Sequence, residues 1–91
     1  MPAKEKEAQN VKKVVYYIYA SLTESDGDEK RMQFESEQPF VVPPVGAPFQ
    51  ILFDGATDLN MVGKVGELRY SYEYDPKNKT LVCNTNIGMS S

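Results

Sequence analysis

From Glu67 to Tyr74 the chain alternates without a break, with Leu68, Tyr70, Tyr72 and Tyr74 on one parity and Glu67, Arg69, Ser71 and Glu73 on the other. A period of two over this length makes a strand with one buried and one wet face. Asp75-Pro76-Lys77-Asn78 ends it: Pro76 presets φ for a turn corner, and Asn78 tolerates a left-handed backbone. Leu81, Cys83, Thr85 and Ile87 then share one side of a second strand. A one-residue slip would send a whole apolar set to the wrong face. The predicted register therefore uses the four-residue loop Pro76 to Lys79, with Tyr74 opposite Leu81, Tyr72 opposite Cys83 and Leu68 opposite Ile87.

Val11 to Thr23 is dense in β-branched and aromatic residues, which suit a pleated surface. Val14, Tyr16, Ile18, Ala20 and Leu22 make one face; Val15, Tyr17 and Tyr19 make the other apolar as well. Such a strand is central in its sheet or is covered on its second face by another element or subunit. Glu24 to Glu29 is a turn around Gly27, and a loop of odd length centred on Gly27 pairs Leu22 with Met32 and Ala20 with Phe34.

Pro39 to Pro48 holds four prolines in ten residues and cannot be a central strand. It is expected as an extended crossing anchored by Phe40, Val42 and Val45. Phe49, Ile51 and Phe53 resume the alternation with their side chains inward. Between Gly55 and Gly66 two readings stand: Thr57 or Asp58 caps a single helical turn over Leu59, Met61 and Val62, stopped by Gly63, or the stretch is a structured loop.

These elements predict an all-β fold: a small antiparallel barrel or two-layer sandwich of five to six strands, with one short helix near residues 57–62. An α+β sheet is the alternative. Ninety-one residues make one domain. It is expected over residues 11–91, behind a flexible tail of Lys, Glu, Ala and Gln over residues 1–10.

The residue types present narrow the function more than any motif does. There is no histidine, so imidazole-based triads, dyads and shuttles are excluded. Cys83 is the single cysteine, which removes an internal disulfide and the usual zinc ligand sets. On the inward side of its strand it reads as an inert small hydrophobe. Glu24, Asp26, Asp28 and Glu29 gather carboxylates around Gly27, but without calcium-hand spacing, and exposed turns carry the same residues. Asp54, Asp58 and Asn60 form a weaker cluster of the same kind. Gly63 and Gly66 have the spacing of an RNA-clamping loop; a strand follows directly, which favours a role in backbone geometry. No phosphate loop is present. The reading is therefore not an enzyme, with no cofactor and no metal.

What remains is aromatic surface. Val15, Tyr17 and Tyr19 on the outer side of the first strand form the expected interaction surface, for a protein partner or a second copy in a homodimer. The rival reading is a small-barrel binder of single-stranded nucleic acid, with Tyr17 and Tyr19 stacking on bases near Lys12 and Lys13. A net charge of −3 opposes it, because such affinity rests mainly on neutralising phosphates. No run reaches the ~18 apolar residues of a membrane helix. The first ten residues lack the apolar core of a secretion signal, so a cytoplasmic location is expected.

Overall fold

In the computed structural model, which describes residues 8–91, the alternating stretch is one arm of the longest hairpin. Strands β4 (Met61–Asp75) and β5 (Thr80–Ser90) pair antiparallel, with Tyr74 opposite Leu81, Tyr72 opposite Cys83 and Leu68 opposite Ile87. This is the expected register, closed by the expected four-residue loop. The loop's chemistry differs in one respect: Lys79, not Asn78, holds the left-handed backbone, at φ 52°. Asn78 serves Asp75 instead. Its Nδ2 donates to Asp75 Oδ2 at 2.7 Å, while the backbone N–H groups of Lys77 and Asn78 donate to Oδ1 at 3.0 and 3.3 Å.

The remaining elements are β1 (Lys13–Thr23), β2 (Glu29–Ser36), β3 (Pro48–Ile51) and a 3-10 turn at Thr57–Leu59. Five strands in the order β2-β1-β5-β4-β3 form one sheet that curls into a half-barrel. Strand accounts for 58% of the described residues, and the fold is all-β. Three pairings are antiparallel; β1 and β5 run parallel, which corrects the purely antiparallel expectation. The cause is the route of the chain. After β2 it crosses from one edge of the sheet to the other, builds β3 and β4 there, and returns through β5 to the open side of β1. The doubly apolar β1 is thus an inner strand, flanked by β2 and β5.

The first hairpin keeps its predicted faces but not its predicted pairs. Leu22 lies opposite Lys30, Ala20 opposite Met32 and Ile18 opposite Phe34, two residues from the expected register. The Glu24 N–H donates to the Asp28 carbonyl at 2.8 Å, and the Gly27 N–H donates to the Glu24 carbonyl at 2.9 Å. These bonds close a three-residue loop, Ser25-Asp26-Gly27, whose last residue needs the positive φ that Gly27 takes, 93°. The loop is centred on Asp26 rather than Gly27. A shift of two leaves every side chain on its expected face.

The Pro-rich crossing lays Phe40 and Val42 against the core, together with Phe49 and Ile51 from β3. Val45, expected there as an anchor, is exposed. The 3-10 turn carries no side-chain cap; Ala56 holds the cap position, in place of Thr57 or Asp58. The core beneath comprises Ile18, Ala20, Leu22, Met61, Val65, Ile87 and Met89. Met61 and Val65 are odd-numbered, whereas the inward side of β4 beyond them is even-numbered. A register shift between Val65 and Glu67 accounts for this, since one extra residue reverses which parity faces in. Gly63 and Gly66 therefore lie within β4, not in a loop.

The crossing packs on the core cluster through Phe40 and Val42 and leaves part of the inner face open. Beyond it, Tyr70 and Tyr72 stand 60% and 69% exposed, although they share the core-facing side of β4. The expectation of a buried tyrosine row is corrected here: the side is right, but no second layer covers it among the described residues.

Candidate interaction surface

The outer face of the sheet is built from four strands whose register can be read across. One row runs Glu35, Tyr17, Asn84, Ser71; the next runs Gln33, Tyr19, Asn86, Arg69; the next Arg31, Ser21, Gly88, Glu67. In the last row the two central residues are small, and larger charged residues flank them. That difference in side-chain size makes a groove of about 770 Å³, with Ser21, Asn86 and Gly88 along its floor and Tyr19 at one end.

The groove walls carry paired charges. On β2, Arg31 Nε donates to Glu29 Oε1 at 2.9 Å. On β4, Arg69 Nε donates to Glu67 Oε1 at 2.8 Å. Each pair joins residues two apart on one strand, so both members lie on the same face. Both pairs are well exposed, where water and salt screen an ion pair and leave it little effect on stability. Their importance is that each wall shows both signs of charge and neither shows an excess.

The three residues singled out in the sequence stand together on this face. Val15 is buried, at 7% exposure, and Tyr17 and Tyr19 are half-buried. The two tyrosine rings stack with centroids 6.0 Å apart and planes 19° from parallel. Partial burial holds the Tyr17 phenol above its ordinary pKa, and the Glu35 carboxylate opposite it in register adds to the effect. Tyr17 thus stays a neutral hydrogen-bonding phenol. Beside it in β5, Asn84 is buried and donates from Nδ2 to Glu73 Oε1 at 3.4 Å.

No family model, curated protein or solved structure matches this chain.

The other sequence candidates are dispersed. Cys83 is half-buried on the inner face. The carboxylates around Gly27 are used locally: Asp26 Oδ1 accepts the Asp28 N–H, Glu24 pairs with Lys30, and Glu29 pairs with Arg31. Among the described residues no group of three or more carboxylate or thiol ligands converges. Asn60, from the second cluster, is structural: its Oδ1 accepts the Phe53 N–H and its carbonyl accepts Lys30 Nζ at 3.0 Å. Gly63 and Gly66 serve close approach of backbones, with Gly63 against the Ser90 carbonyl and Gly66 against that of Gly88. No helix of the described chain is long and apolar enough to cross a membrane.

Sequence reasoning missed the groove itself. Its local signal was present in Glu29-Lys30-Arg31 and Glu67-Leu68-Arg69, opposite charges at a spacing of two on predicted strands. Joining them needed the parallel β1–β5 pairing, which places Ser21 beside Gly88.

Proposed function

We propose that the protein is a non-enzymatic interaction module that engages a protein partner through the outer face at Tyr17 and Tyr19, beside the buried Val15, and through the adjoining groove. The observation that carries this reading is the stacked, half-exposed Tyr17–Tyr19 pair at the end of a groove whose walls are neutral in sum. Paired aromatics give contact area at little cost in side-chain entropy. Walls showing both signs of charge suit a polypeptide segment of mixed charge; a second copy of the chain is one such partner. The same walls give a polyphosphate backbone no net attraction, which counts against nucleic acid. One half-buried cysteine and no disulfide are in keeping with the cytoplasm.

Selection of displayed peptides against the wild type tests this reading. The expected binders lose affinity for Tyr17→Glu/Tyr19→Glu and keep it for Tyr70→Glu/Tyr72→Glu. Selected peptides indifferent to the outer-face pair would refute it. Oligonucleotide binding at ~50 mM salt, lost in the same variant, would favour the nucleic-acid reading.

A further inference from the structure

The two edges of the sheet differ. At β2 the apolar side chains are already engaged: Met32 packs on the core, and Phe34 stacks on Phe53 with centroids 6.2 Å apart. At the opposite edge β3 pairs only with Met61 to Lys64, and Ala47 and Gly46 extend the contact to Val65. From Gly66 to Asp75, β4 has no hydrogen-bonded neighbour on its outer side among the described residues. A long open edge beside exposed tyrosines is a template for adding a strand.

We infer that this edge pairs with the same edge of a second copy, antiparallel about a two-fold axis at Ser71, making one continuous ten-stranded sheet across the dimer. The choice of partner and register rests on charge and length. Facing residues must share a face, so the axis passes through a residue rather than between two. An axis at Tyr70 sets Glu67 against Glu73 twice. An axis at Ser71 sets Arg69 against Glu73 twice, Tyr70 against Tyr72 twice and Leu68 against Tyr74 twice. It also pairs Glu67 through Asp75, so the seam ends where β3 contact ends on one copy and where the Pro76 turn begins on the other. Opposite charges face each other on one side of the seam and aromatics on the other, both favourable cross-strand pairs. The one like-charged combination, Glu67 with Asp75, also occurs twice, once at each end of the seam. Glu67, Arg69, Ser71 and Glu73 share the outer face with Tyr17 and Tyr19, and Glu67 and Arg69 also wall its groove. The seam, however, is the open edge of β4, with β5 between it and β1, so the dimer does not need the two outer-face tyrosines.

Charge reversal tests both partner and register. Sedimentation of the full chain over a concentration series is expected to show a dimer. Arg69→Glu or Glu73→Arg alone places like charges at two points of the seam and lowers association about tenfold or more. Mixing the two single variants restores opposite charges at both points and recovers a heterodimer; the double variant recovers a homodimer. Ser71→Cys, in a Cys83→Ser background, is expected to cross-link the dimer, because facing strand residues lie within disulfide reach. Tyr17→Glu/Tyr19→Glu leaves this dimer intact. A wild type that stays monomeric overturns the inference. So does a dimer that ignores the charge reversals, or one that is lost with the outer-face tyrosines.

Discussion

Tyr72 stands directly opposite Cys83 across the β4–β5 hairpin, on the same side as the hydrophobic core, yet it is 69% exposed and Cys83 only half-buried. Register fixes which side a residue takes; it does not supply the layer that buries it. Two rows away on that side, Ile87 is 1% exposed because it belongs to the core cluster on which Phe40 and Val42 of the Pro-rich crossing and Phe49 and Ile51 of β3 pack. In the monomer, at concentrations below those at which the β4 edge pairs, Tyr72→Ala is therefore expected to change stability by less than ~0.5 kcal/mol, as an exposed substitution. Ile87→Ala should cost ~2–5 kcal/mol through lost burial and a cavity. Urea unfolding of the two variants measures the difference, and similar costs would mean that the open half of the sheet is packed.

Cys83 inherits the same geometry. A fully buried thiol would react only after unfolding, which is the expectation from sequence; a half-buried one beside an uncovered tyrosine is reached in the folded state. A thiol reagent should label native Cys83 more slowly than the urea-unfolded chain, but to completion. Labelling that waits for unfolding would show that something covers this face.

Gly63 offers a contrast of backbone approach. A Cβ built there meets the Ser90 carbonyl and carbon, groups held by the β4–β5 ladder, so the strands must part to admit it. At Gly66 the nearest atom, the Gly88 carbonyl oxygen, is 3.3 Å away and a small shift suffices. Gly63→Ala should cost ~1–3 kcal/mol, as overpacking does, and Gly66→Ala less. Thermal melts rank the pair, and the reverse order would contradict the close approach at Gly63.

Legibility followed sequence separation. The β4–β5 hairpin was readable to the residue because two alternating strands joined by four residues leave one register that keeps both apolar sets together. The first hairpin was readable only to its faces. Ser25-Asp26-Gly27 and a longer loop preserve the same parity, and only the Glu24–Asp28 backbone bond separates them. The β1–β5 pairing was not readable at all. It joins Lys13 to Thr80, and nothing local to either residue declares a parallel neighbour. The outer-face trio was visible as a second apolar parity on β1, but its surroundings were not, because Asn84, Asn86 and Gly88 arrive from β5. The exposure of Tyr70 and Tyr72 was hidden for a different reason. Alternation reports that one side is apolar, not whether a chain of this length has residues left to cover it.

The turn that sets the hairpin register also carries a charge that titrates. Asp75 is held below the ordinary carboxylate value of 3.8, first by the side-chain amide of Asn78, then by the backbone N–H groups of Asn78 and Lys77. A carboxyl whose folded pKa is depressed stabilises the fold above its unfolded pKa, and that contribution is lost as pH falls through the folded value. Asn78→Ala removes the largest of these donors and leaves the backbone N–H groups in place. The Asp75 midpoint, followed by NMR at the side-chain carboxyl, should lie below 3.8 in the wild type and move up in the variant. The stability gap between the two proteins should be constant above about pH 5 and narrow in acid, where Asp75 is protonated in both. Lys79 follows this turn and holds the left-handed backbone that returns the chain to β5, so the variant keeps its register. Near-neutral spectra of the two should therefore overlay outside residues 75–80. An Asp75 midpoint unchanged by Asn78→Ala would show that the side-chain bond does not form in solution.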